Sequence, residues 1–153
     1  MKAISLWQPW ASAMAVGLKR NETRHWPTSH RGPLAICSAL RKPKAADISQ
    51  ELASVLWQHR GRFAGYHANI QDLLDSLPLG KVVCVVNLFE CVATSDIRFN
   101  LAEEELFCGN YLAGRFAWCT TACKKLDIPV PVIGRQGFFN LPPDVEEKVR
   151  NQI

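Results

Sequence analysis

From Lys81 to Val92 the chain is almost continuously apolar and rich in β-branched residues, with Val82, Val83, Val85, Val86, Leu88 and Phe89 in close succession. A strand with one wet face alternates apolar and polar residues, whereas a strand covered on both faces does not. The run therefore predicts a central strand with material packed on each side. No apolar stretch approaches the roughly 20 residues of a membrane-spanning helix, so no membrane partner is expected.

Neighbours for that strand are visible along the chain. Ile4–Leu6, Leu34–Ala39 and Phe138–Leu141 read as short strands, and Gly114–Thr120 alternates long and short side chains as a strand does. Pro129 and Pro131 confine residues 128–133 to an edge or an extended segment. A helix starts at Pro9, carries Trp10, Ala13 and Met14 on one face and stops at Gly17. A second follows Pro43, over Ala45–His59, with Ile48, Leu52, Val55 and Leu56 on its apolar face. Asn69 caps a short third helix with Ile70, Leu73 and Leu74 inward. Thr94–Asp96 is a turn or cap, Leu101–Phe107 a brief acidic helix, and Pro142-Pro143-Asp144 opens a polar last helix. Strands and helices do not alternate regularly, and no glycine-rich phosphate loop follows a strand. The pattern predicts one α+β domain over residues 1–153, a small mixed β-barrel decorated by helices, rather than a doubly wound parallel sheet.

With 48% hydrophobic and 21% charged residues, the composition excludes disorder. The first ten residues break at Gln8-Pro9 before any long apolar region forms, which predicts a cytoplasmic chain. Six cysteines without an export signal are then expected to be reduced and mostly buried. Cys119 and Cys123 lack a matching ligand pair and the four histidines are scattered, so neither a metal nor another cofactor is expected. The net charge of +4 is mild, but Lys19, Arg20, Arg24, Arg31, Arg41, Lys42 and Lys44 share one early section. That section suits a polyanion, and an ordinary solvated surface explains its charge equally well.

Within it, Gly17-Leu18-Lys19-Arg20-Asn21-Glu22-Thr23-Arg24 is a charged link between two apolar stretches. Where such a link emerges into a cleft it makes a site. Residues 22–26 read as extended, because Trp26 precedes Pro27, and in an extended segment Glu22 and Arg24 share a face. Lys19 and Glu22 can serve as an acid–base pair, or Glu22 and Arg24 as a structural ion pair. Metal-free RNA cleavage needs a base, an acid and a cation, which Glu22, Lys19 and Arg24 supply. Arg115 and Arg135 each follow a glycine that permits close approach to a phosphate. Trp7 and Tyr111 offer stacking faces for a base, while Trp10 and Trp118 read as core. Arg20, Arg31 and Gln136 complete the expected nucleic-acid contacts, the ligand being single-stranded RNA or a nucleotide, with DNA as an alternative.

The blocks Ile4-Ser5-Leu6-Trp7-Gln8-Pro9-Trp10-Ala11, Gly17-x-Lys19-x-x-Glu22-x-Arg24-x-Trp26, Arg31–Ile36, Gly114–Trp118 and Gly134–Leu141 resemble, in this order, the ASCH family. The resemblance covers the domain end to end. It implies a PUA-like fold, a small barrel related to RNA-binding domains of RNA-modifying enzymes, with the Gly17–Arg24 segment lining a cleft. It also implies a choice of functions: coactivator-linked nucleic-acid binding, single-stranded ribonuclease activity, or amide hydrolysis of acetylated cytidine. The amidohydrolases carry threonine where this chain has Glu22, and Thr23, one position on, should face the other way. Their further carboxylate would fall to Glu90, Glu103, Glu104 or Glu105.

Overall fold

The computed structural model describes all 153 residues and contains one six-stranded mixed sheet. Its strands are β1 (Lys2–Leu6), β2 (Asn21–Arg24), β3 (Gly32–Ser38), β4 (Lys81–Ala93), β5 (Phe116–Pro131) and β6 (Phe139–Asn140), ordered β2-β5-β4-β3-β1-β6. Only β1 and β3 run parallel, with Ile4 opposite Ile36; the other neighbours are antiparallel. β4 occupies the middle, as its apolar run requires. The helices are α1 (Trp10–Ala15), α2 (Gln50–Gln58), α3 (Ile70–Asp75), α4 (Thr94–Ile97), α5 (Glu103–Phe107) and α6 (Pro143–Arg150). The architecture is α+β and PUA-like, but the edge strands β2 and β6 do not pair, so the expected barrel is an open sheet.

Both faces are covered, and the side chains sort accordingly. Ala3, Ala35, Cys37 and Val85 point to the face closed by Val145 and Val149 of α6. Ile4, Leu34, Ile36, Val86 and Leu88 point to the other, against Ala11 and Met14 of α1 and the fully buried Trp118. A third cluster joins Ala13 and Leu18 to α2 and α3 through Leu52, Val55, Leu56, Leu73 and Leu74. At about 25 cal/mol per Å², these buried aliphatic side chains contribute roughly 1.5–3 kcal/mol each before entropy is counted.

Two elements differ from expectation. β5 is a single 16-residue strand where two pieces were expected, because β4 templates its whole length. The register shifts several times between them, and Ala122 takes a left-handed φ of 51° within one irregular stretch. The end of β5 is an edge, as its prolines require: β2 reaches only Phe116–Cys119. There Gln152 stands in for a strand, accepting from the Ile128 N–H and donating to the Ile128 carbonyl, both at 2.9 Å. The helix expected over Ala45–His59 is broken. Residues 45–47 form a 3-10 turn, Ile48 is extended, and the Ser49 hydroxyl accepts the Leu52 N–H to start α2 at Gln50. No helix is long and apolar enough to cross a membrane.

Candidate nucleic-acid interface

Gly17, at φ +80°, ends α1 and turns the chain into the charged link. The link then enters β2, whose pairing with β5 sets Glu22 opposite Trp118 and Arg24 opposite Phe116. The alternation of an extended strand puts Glu22 and Arg24 on one side, and Arg24 Nε stands 3.2 Å from Glu22 Oε1. Glu22 Oε2 is 3.3 Å from Lys19 Nζ. Lys19 itself is only 2% exposed, and its ammonium donates to the carbonyls of Asn21 (2.5 Å) and Cys108 (3.1 Å). This meets the requirement that a buried charge be both paired and hydrogen-bonded.

The guanidinium of Arg24 sits 5.2 Å from the Trp26 ring and 5.7 Å from the Trp118 ring, and it donates through Nη2 to the Ser5 carbonyl at 3.2 Å. The end of α5 forms the facing wall. Its Cys108 carbonyl receives Lys19, and the Asn110 N–H donates to the Thr23 hydroxyl at 3.0 Å. Arg115 spans the same wall, donating from Nε to the Asn110 carbonyl and from Nη2 to the Thr23 carbonyl, which leaves Nη1 without a protein acceptor. Trp7, 56% exposed, completes the rim with the Arg41 guanidinium 4.0 Å from its ring. Trp7, Lys19, Glu22, Arg24, Trp26 and Arg115 border a cleft of about 600 Å³, within the roughly 300–1,000 Å³ range of small-ligand sites.

The structure thus gathers Lys19, Glu22, Arg24, Trp7 and Arg115 in one cleft and leaves the other expected contacts outside it. Arg20 faces a separate, larger groove. Arg31 is exposed and pairs with Glu90 at 3.1 Å. Arg135 lines a shallow hollow beside Pro131 and Asp144, and Gln136 is exposed on the adjoining turn. Tyr111 requires a correction: it is 7% exposed, so its ring is closed to a stacking base. Its hydroxyl instead contacts Asn21 Nδ2 and Glu105, each at 3.3 Å, and burial pushes the phenol pKa above its ordinary value. Burial likewise pushes the Cys108 thiol up to about 11.

None of Glu90, Glu103, Glu104 and Glu105 borders the cleft; its carboxylates are Glu22 and Asp47. Asp47 and His25 are cleft residues that the sequence reading missed. Asp47 arrives through the break before α2 and sits 3.5 Å from Arg41, so no local pattern marks it. His25 adjoins the charged link, edge-on to Trp26 at 4.4 Å, and its place directly after Arg24 was the available signal.

A PUA-like open sheet with an ionic cleft against its β2 edge defines the class. The chain belongs to the ASCH domain family, whose sequence profile matches residues 4–130. It is 32% identical over 95 residues to activating signal cointegrator 1 of Homo sapiens and, to the same extent, to that of Mus musculus. Those alignments cover 62% of this chain but 15% of the length of the relatives. The crystal structure of ASCH from Zymomonas mobilis is similar in fold, with a TM-score of 0.55 at 15% identity over 98% of this chain and 93% of that one. A point variant of the same bacterial protein gives 0.54 at 13%, over 98% and 96%.

Proposed function

We propose that the cleft at Lys19 binds single-stranded RNA or a nucleotide. The observation that carries this reading is the pairing of a half-exposed indole, Trp7, with the unsatisfied Nη1 edge of Arg115 across one cleft. A flat aromatic wall takes a base, and a guanidinium edge takes a phosphate oxygen. Lys19 plays a different part: with its ammonium committed to two carbonyls and Glu22, it fixes the cleft's back wall. The likeness of this chain to part of a protein named as a signal cointegrator supports a binding role within a regulatory module.

A second reading, metal-independent hydrolysis, rests on the Lys19–Glu22 contact at the cleft. A carboxylate and an ammonium in contact can relay a proton between an attacking and a leaving oxygen. Of the two hydrolytic chemistries, RNA cleavage is favoured over amide hydrolysis of acetylcytidine, because Glu22 holds the threonine position and the Thr23 hydroxyl already accepts from Asn110. Incubating the protein with labelled single-stranded RNA and with acetylcytidine, while measuring binding of each, separates the readings. Binding without turnover supports the module, RNA cleavage supports the hydrolase, and failure to bind either ligand removes both.

A further inference from the structure

A second groove, of about 1070 Å³, is separate from the first and shares with it only the buried Lys19. Arg20 of the charged link, Arg62 beyond α2, Phe89 of β4, and Thr121 and Cys123 of β5 contribute to its walls. The carboxylates bordering it are already engaged. Glu105 accepts the backbone N–H groups of Arg20 and Asn21, at 2.9–3.1 Å, and contacts the Tyr111 hydroxyl; Glu104 contacts His59 at 3.0 Å. The cations have no such partners. The Arg20 side chain is exposed and forms no ion pair, and Arg62 donates only to the Val16 carbonyl, at 3.3 Å. Lys124 and Lys125 follow on β5, exposed and equally without ion pairs. Phe89 is 54% exposed although it belongs to the central strand. The groove therefore presents cations without direct ion-pair partners beside a bare aromatic face, with the Glu104 and Glu105 carboxylates on the same lining.

We propose that this groove is a second subsite for single-stranded nucleic acid, with phosphates at Arg20 and Arg62 and a base against Phe89. The inference rests on the reading of the Lys19 cleft as a nucleotide site, and it extends that site into a track. Guanidinium forks engage phosphate oxygens, and exposed aromatic rings accept any base by stacking, so the pair of features favours a nucleic-acid strand over an acidic peptide. The ligand of the whole domain is then an oligonucleotide that continues past the cleft.

Equilibrium binding of a nucleoside monophosphate and of an eight-nucleotide single strand, at several salt concentrations, tests this. Arg20, Arg62 and Phe89 are used because their side chains are exposed, and a thermal melt of each variant verifies folding. In the parent, the octamer should bind more tightly than the monophosphate. In the double variant Arg20→Ala, Arg62→Ala, the octamer should lose about tenfold or more in affinity. Its slope of log K against log salt should also shrink by about 1.4, at roughly 0.7 per phosphate contact for single strands. Phe89→Ala should weaken the octamer by roughly 5- to 150-fold, the loss expected for one stacked base. Monophosphate affinity should hold in both variants. An octamer that binds no tighter than the monophosphate, or that keeps its affinity and salt slope in the double variant, overturns the subsite while leaving the cleft reading intact. Polyglutamate of equal charge that displaces the octamer from the parent as well as a second oligonucleotide does would assign the groove to acidic peptides and also overturn it. If neither monophosphate nor octamer binds the parent, the cleft reading fails and the subsite falls with it.

Discussion

Lys19 and Glu22, three residues apart, meet at 3.3 Å with the lysine almost fully buried, and the other oxygen of Glu22 stands 3.2 Å from Arg24. One carboxylate thus joins a buried and a partly buried cation. Lys19→Met should leave a largely buried carboxylate with one partner fewer and two backbone carbonyls unsatisfied. The expected loss of stability is about 3–5 kcal/mol, the range for breaking a buried pair. Glu22→Gln should cost less, because the Lys19 ammonium keeps both of its carbonyl acceptors. In the Lys19→Met, Glu22→Gln double variant the losses should fall well short of additive. Urea denaturation of the four proteins measures this, and strictly additive losses would show that the pair is not coupled.

Tyr111→Phe separates packing from ligand contact. The hydroxyl makes two long hydrogen bonds and the ring is covered, so the variant should lose about 1 kcal/mol of stability and bind ligand as the parent does. A large loss of ligand affinity without a loss of stability would show that the hydroxyl contacts the ligand, which its burial contradicts.

Gly109 sits where the back wall of the cleft turns. A Cβ there would lie 2.7 Å from a Tyr111 ring carbon and 3.4 Å from Thr23 Cγ2, and a buried ring cannot swing aside as a surface side chain can. Gly109→Ala should destabilise the protein by about 1–3 kcal/mol through overpacking. Because Cys108, the preceding residue, carries a carbonyl that holds Lys19, the variant should also weaken ligand binding. Parent-like melting would show that the turn has slack.

The thiols provide a pH test. All six cysteines are free; Cys123 is exposed, and its pKa is lowered by a hydrogen bond from Cys84, an effect partly opposed by burial. Burial pushes Cys37 up to about 12 and Cys119 up to about 11. Alkylation requires the thiolate, so in native protein Cys123, exposed and with its pKa lowered, should react first. Cys37, Cys108 and Cys119 should react only after unfolding. Mass mapping of partial alkylation measures the order, and early labelling of Cys108 would contradict the packed back wall.

The central strand was legible because a strand covered on both faces abandons alternation, and β4 does so over most of its length. Helix ends marked by Gly17 and Asn69 were legible for the same local reason: each residue solves a capping problem. β5 was not, since residues 121–125 are exposed and are held in the strand by β4, from Asn87 opposite Thr121 to Cys84 opposite Lys125. Ser49 could be a helix residue or a cap, and only the structure shows its hydroxyl accepting the Leu52 N–H. At the site, the link between Gly17 and Arg24 declared itself by charge between apolar flanks. The burial of Lys19 did not, because it depends on a carbonyl 89 residues distant. Arg41 meets Trp7, and Asp47 meets Arg41, through tertiary packing alone.

The most direct test of the nucleotide-binding cleft compares affinity for a labelled single-stranded RNA among the parent, Trp7→Ala, Arg115→Ala and the remote control Arg135→Ala. Trp7 and Arg115 border the cleft, whereas Arg135 lies in a different hollow. The expected result is a loss of roughly 5- to 150-fold for Trp7→Ala, the range for a lost stacking contact. Arg115→Ala should bind more weakly, with a salt slope shallower by about 0.7, the loss of one phosphate contact, and the control should stay within twofold of the parent. Cleft variants that bind like the parent, or a control that loses as much as they do, would contradict the assignment.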